Sequence, residues 1–250
     1  MLTGQALQTR ILYIQTVCGL GFMDYAELHC LSNFSFLRGA SHPAELVAQA
    51  AHEGYRALAL TDECSLVGIV KAHVAARAHG LHLIVGAEFR LDSDCLLVLL
   101  APDRAAYAEL SGLITLARRR SPKGEYALCL RDIEQVVHRC LAIWVPGSGA
   151  EDRLEACGEA LRSVFTDRLW LGVELLLGAD DQAHYQRLCG IARRLALRMV
   201  ACGGVLMHVA ERKALADTLC AIRLGEPVQQ LGTRLEPNAE RHLRPLARLR

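Results

Sequence analysis

Apolar residues along this 250-residue chain gather into seven short runs, and stretches of helical period separate them. The runs cover 26–31, 57–61, 81–89, 95–101, 141–145, 170–175 and 199–202. Amphipathic stretches fall at 43–53, 66–79, 104–118, 130–138, 151–163, 181–197 and 211–224. Start and stop signals agree with the pattern. Ser41 and Pro43 precede Glu45 in a first turn, and Gly54 and Gly80 follow helix ends. Repeated β/α units with continuous apolar strands imply a parallel sheet covered by helices. At this length a closed or nearly closed α/β barrel is the leading architecture, with an open doubly wound sheet as the alternative. No GxGxxG follows the first strand, which weighs lightly against a dinucleotide fold.

Composition narrows the class. Hydrophobic residues make up 52% and aromatics 5%, as in a soluble, helix-rich core. A net charge of +1 gives no whole-chain field for tight nucleic-acid binding. The basic clusters at Arg118, Arg119 and Arg120 and from Arg241 to Arg250 are expected to be solvated faces or linker. Ten cysteines occur with no CxxC, and no Cys/His group has zinc-finger spacing. That describes reduced thiols in a cytoplasmic protein, without a disulfide framework. Residues 1–22 fit neither a membrane span nor a signal peptide and are expected to be a disordered or spurious extension before Met23. From 227 the pattern dissolves into a Gly/Pro/Arg-rich tail without a closing hydrophobic element, expected to be a linker.

Functional residues of a parallel barrel gather at the C-terminal strand ends. There the sequence offers His29 after the first strand, Thr61, Asp62 and Glu63 after the second, and Glu88 in the third. Imidazole and carboxylates ligate zinc, manganese or iron, and grouped carboxylates also move protons.

The segments ELHCLSNFSFLRGASHPAELV, GYRALALTDECSLVGIVKAH and LIVGAEF resemble the opening of the PHP domain of C-family DNA polymerases, and most closely its error-prone branch. The likeness runs from about Met23 through MHVAERKALADTLCAIRLGEPV and EPNAERHLR. It implies a distorted (β/α)7 barrel over 23–226, with 227–250 leading towards a polymerase core. Active PHP domains carry His-x-His, Asp-His, a Glu and Asp-x-His at their metal positions. Carried onto this chain, the resemblance keeps His29 and Glu88 and puts Glu63 where a His is expected. Asn33 replaces an acid there, and Leu31, Gly204 and Leu206 have no donor side chain. Asp62 matches the motif as an orienting residue rather than a ligand.

A multinuclear site needs several anionic or imidazole donors. The expected outcome is a vestigial site with no catalytic residue, no cofactor beyond weakly held zinc or manganese, and no hydrolysis. The resemblance further implies a longer protein that copies past DNA lesions with Mg²⁺ in its polymerase core. DNA, a sliding clamp and accessory mutagenesis proteins would be its partners, and no membrane. The alternative is a metal-dependent phosphoesterase or 3′–5′ exonuclease. A third, a barrel enzyme of small-molecule metabolism, would need Cys202-Gly203-Gly204 as a phosphate loop.

Plainer readings stand beside these. His29 could be a hydrogen-bonded strand-end histidine, and Glu63 and Glu88 could pair with arginines. His208 falls outside the metal positions, and His73, His79 and His82 lack HExxH spacing. Gly147-Ser148-Gly149 is expected to be a loop rather than a nucleophile elbow. Lys71, Arg77 and Arg90 need no role beyond the surface.

Overall fold

Each apolar run becomes a strand: β1 (Ala26–Cys30), β2 (Ala57–Leu60), β3 (His82–Arg90), β4 (Cys95–Ala101), β5 (Leu141–Pro146), β6 (Leu169–Val173) and β7 (Arg198–Ala201). The structure is a computed structural model that describes residues 25–91 and 95–249. The proposed extension at 1–22 lies outside the described residues. The strands form one curled sheet in sequence order. β1–β2, β2–β3, β5–β6 and β6–β7 pair in parallel. β4 runs antiparallel to both β3 and β5, which corrects the expectation of a wholly parallel sheet. Residues 91–94 are too few for a crossover helix, so β4 can only return beside β3 as a hairpin.

Around the sheet lie α1 (Pro43–His52), α2 (Ile69–His79), α3 (Arg104–Arg119), α4 (Leu130–Val136), α5 (Glu151–Phe165), α6 (Asp181–Arg194), α7 (Lys213–Leu224) and α8 (Val228–Leu231). Local chemistry sets their ends. Pro43 opens α1, and the Glu45 carboxylate accepts the His42 N–H at 2.8 Å. Asp103 caps α3 by accepting the Ala106 N–H at 2.8 Å. Gly80 closes α2 in the left-handed conformation, where a side chain would be strained. Among the described residues no helix is long and apolar enough to cross a membrane.

Burial divides into an interior and an outer layer. Ala26, Leu28, Ala59, Ile84, Val98, Ile143 and Trp170 pack inside the curl. Alternate residues such as Phe89, Leu97, Leu99, Trp144 and Leu171 face the covering helices. Along the seam between β7 and β1 the described residues form no ladder. Val205 instead bridges Cys30 in parallel, and Leu31 N–H donates to Val205 O at 2.9 Å. The result is a distorted, nearly closed seven-stranded barrel.

The segment after 227 does not dissolve as its composition suggested. Leu231 and Leu243 are buried, and Leu243 joins Leu46, Val47, Leu58 and Tyr55 in one cluster. Met207 pairs with His242, and the Tyr55 hydroxyl donates to Arg244 O at 2.8 Å. Sparse apolar residues hid a real hydrophobic closure. Leu243→Ala should therefore destabilise the fold by about 2–4 kcal/mol, as expected for a large-to-small change in a core. Urea unfolding checks this; a midpoint unchanged from the parent chain would mean that the segment is a free connector after all.

Candidate functional site

The barrel mouth is built by the period-two alternation of its strands. On β3, Ile84, Gly86 and Glu88 share the inward face, and on β6 Trp170 and Gly172 are followed by Glu174. The next inward position on β3, and the one just past β6, is thus a carboxylate. Gly86 and Gly172 leave no room for a side chain beneath them: a Cβ on Gly86 would lie 2.7 Å from Leu99 O, and one on Gly172 2.9 Å from Ile143 Cγ2. On β1 the register against β2 shifts between Glu27 and Cys30, and such an irregularity re-aims a side chain. His29 sits at that shift and reaches both acids. Its Nε2 lies 2.7 Å from Glu88 Oε2 and its Nδ1 2.5 Å from Glu174 Oε1.

All three groups are buried or nearly so. Burial alone would push the His29 imidazole down. The carboxylates of Glu174 and Glu88 outweigh it and hold the ring up at about 9. Burial pushes Glu88 up, but the hydrogen bond from His29 and the charge of Arg38 bring it down to about 2. Glu174 likewise falls to about 2 against its burial, through His29 and Arg241. His29 is therefore an imidazolium at neutral pH, donating one N–H to each carboxylate.

Two arginines complete the arrangement. Arg38, from the loop between β1 and α1, donates through Nη1 to Glu63 Oε2 at 2.6 Å and to Glu88 Oε1. Glu63 Oε1 also accepts the Tyr126 hydroxyl at 3.0 Å. From the last segment, Arg241 donates to Glu174 Oε2 and to Gly204 O, each at 3.1 Å, and lies 2.8 Å from Glu236. The expectation of a solvated Arg241 is corrected: it closes the mouth from the far side.

The positions named from sequence divide in three. His29, Glu63 and Glu88 meet in this network, held by protein cations. Asp62 stands apart and accepts Ser32 N–H, Ser32 Oγ–H and Ser35 Oγ–H, each at 2.7 Å, so it anchors the loop after β1. Asn33 is exposed and Leu31 is buried against the seam. Gly204 has φ +55°, and a Cβ there would strike Arg241 Nη1 and Glu174 Oε2. Leu206 contributes backbone only, its N–H donating to Arg241 O at 2.9 Å and its carbonyl accepting Ala40 N–H at 2.7 Å.

This donor set fits a metal ion poorly. Each carboxylate of the mouth already faces a guanidinium or imidazolium, and His29 has no free ring nitrogen. Among the described residues no three His, Cys, Asp or Glu side chains form a group able to hold a metal. Gly203 N–H donates to the buried Glu27 carboxylate at 2.9 Å, so that amide of the supposed phosphate loop is engaged. His208 lies outside the network with Nδ1 2.8 Å from Ser41 Oγ. The carbonyls of Gly147 and Gly149 accept Arg187, as in an ordinary loop.

Sequence reasoning missed Glu174, Arg38 and Arg241. Glu174 could have been found, because it is the inward position just past a strand. Reading the run through to 175 hid that end.

Comparisons with known proteins bear on the family and the fold. Residues 27–144 match the family model described as the PHP domain. The chain is 53% identical over 223 residues to the error-prone DNA polymerase of Methylococcus capsulatus, covering 89% of this chain and 21% of that protein. It is also 53% identical over 225 residues to the error-prone DNA polymerase of Pseudomonas aeruginosa, covering 90% and 21%. The chain thus spans about a fifth of the length of the curated relatives it matches. Among solved structures, an amidohydrolase from Chromobacterium violaceum, with bound sulfate and no metal, aligns with a TM-score of 0.55 at 16% identity, covering 73% of this chain and 87% of that one. A protein from Bifidobacterium adolescentis described as a metal-dependent phosphoesterase aligns at 0.52 and 17%, covering 74% and 88%. Likeness at that identity concerns the fold alone.

The network makes two predictions. Arg38→Met should destabilise the fold by about 1–3 kcal/mol, because Glu88 keeps His29 but its second carboxylate oxygen is left buried without a donor, and Glu63 loses the same guanidinium. Adding Glu88→Gln should recover part of that loss in urea unfolding; no recovery would mean that Arg38 acts through packing instead. The second prediction concerns pH. His29, held at about 9 against an ordinary 6.5, contributes stability that is complete below about 6.5 and is lost as pH rises through 9. Glu88 and Glu174, held near 2 against 4.5, contribute stability complete above about 4.5 and lost as pH falls through 2. Unfolding midpoints should therefore decline from pH 6.5 to 9, and His29→Asn should flatten that limb. An equally steep limb in the variant would move its origin elsewhere.

Proposed function

Because residues 27–144 belong to the PHP domain family, we propose that this barrel is the PHP module of a longer error-prone DNA polymerase. It serves there as a structural scaffold without hydrolase chemistry of its own. The observation that carries this reading is the pairing of Glu63, Glu88 and Glu174 with Arg38, His29 and Arg241. Cations supplied by the chain neutralise carboxylates that a metal ion would otherwise need as ligands. Binding a metal would require breaking several buried ion pairs as well as dehydrating the ion.

In this reading the barrel packs in cis against the polymerase core, in the cytoplasm. Nucleotide transfer past lesions, Mg²⁺, DNA, the sliding clamp and accessory mutagenesis proteins engage other parts of the longer protein. The identities above support this placement, since the relatives are named as error-prone DNA polymerases and match over nearly all of this chain.

Reversing the loss takes more than restored donors. Leu31→His and Leu206→His add imidazoles, but Gly204→Asp needs the space that Arg241 and Glu174 occupy. The deciding experiment is elemental analysis of the purified chain after dialysis against excess Zn²⁺ and Mn²⁺ and removal of free ion. Less than about a tenth of an equivalent is expected for a site whose donors are already neutralised. Retention of about two or three equivalents would overturn the scaffold reading and favour a phosphoesterase or 3′–5′ exonuclease.

A further inference from the structure

Away from the mouth, two cysteines meet between the sheet and a helix. Cys95 begins β4, and Cys157 lies on α5, 62 positions later. Their Sγ atoms are 2.7 Å apart. That is well inside ordinary non-bonded contact and within about an ångström of a disulfide bond. The approach is built into the packing. Next to Cys157, Gly158 presses α5 onto β5, where an added Cβ would stand 2.7 Å from Trp144 Cζ3. Helix and sheet are thus closer here than any side chain at 158 would allow, and Cys157 is carried onto Cys95.

We propose that Cys95 and Cys157 form a dithiol site that a peroxide oxidises reversibly to a disulfide. Cys157 is only partly buried, whereas Cys95 is 3% exposed, so Cys157 is the thiol a peroxide meets first. Its thiolate attacks one peroxide oxygen and the O–O bond breaks. Cys157 becomes a sulfenic acid, and the departing oxygen leaves as water. Cys95 sulfur then attacks the Cys157 sulfur, the S–O bond breaks and a second water leaves. Two thiols lose two electrons and two protons, and one peroxide is reduced to two waters. An external thiol reverses the step by exchange.

The buried thiols do not compete on these terms. Burial pushes the thiols of Cys30, Cys64, Cys140 and Cys202 up, which keeps them protonated and inert. Contact with Cys95 instead draws Cys157 down, against its partial burial. The bond would tie β4 to α5 across a long loop, so the oxidised chain should unfold at a higher temperature.

The test uses the full 250-residue chain, reduced, desalted and exposed to hydrogen peroxide. Remaining thiols are then alkylated, and the chain is digested for mass spectrometry. A Cys95–Cys157 linked peptide should form at least about tenfold faster than any other pair, and dithiothreitol should remove it. Trp144 emission should fall on oxidation and recover on reduction. Cys95→Ser and Cys157→Ser should each abolish the linked peptide and the fluorescence change. Peroxide treatment that leaves both cysteines as separately alkylated or over-oxidised peptides would overturn the proposal. Linkage spread without preference over the ten cysteines would do the same. The parent-chain measurement decides the matter whether or not either variant folds.

Discussion

A buried carboxylate must have a partner, and much of this molecule is arranged around that requirement. Strand geometry delivers Glu88 and Glu174 to the inward side of the barrel mouth, where water cannot serve them. His29 is drawn up as an imidazolium between them, and Arg38 and Arg241 approach from opposite loops. Each of these long side chains ties a loop to the barrel. The loop after β1 is fixed by Arg38 and, independently, by Asp62 accepting from Ser32 and Ser35. On the far side, Glu27 holds Gly203 by its amide and so sets the path into the seam at Val205.

The same requirement shapes the positions around the mouth. A metal ion and a set of basic side chains are alternative answers to one electrostatic problem. In this mouth guanidinium groups stand among the acids. Leu31 can then be apolar and pack on the seam. Gly204 can lie in a left-handed turn tight enough for its carbonyl to receive Arg241.

How much of this could be seen in the residues alone depends on the range of each interaction. The strands were legible because apolar periodicity is local, and all seven formed where the runs lay. The direction of β4 was less so: a run of apolar residues looks the same in either sense, and only the short gap before Cys95 betrays a hairpin. His29 and Glu88 could be located from strand ends and family likeness. Their partners could not, since Arg38 and Arg241 lie in loops whose composition reads as solvated surface. Glu174 was obscured by two residues of uncertainty in where β6 stops. Leu243 was lost among arginines and prolines, because a single anchoring side chain leaves no periodic trace. The meeting of Cys95 with Cys157 was equally invisible, as sequence spacing says nothing about contact across a sheet.

Arg241 lies 67 positions after Glu174 in sequence, yet it balances that acid just past the end of β6. During synthesis from the N-terminus, the barrel strands and most of the covering helices leave the ribosome before it does. Until then Glu174 shares only His29, Gly204 has no guanidinium on its carbonyl, and Leu243 has not yet capped the cluster beside α1. The contact between Arg241 and Glu174, 67 positions apart, is thus among the last of the mouth that a growing chain could close.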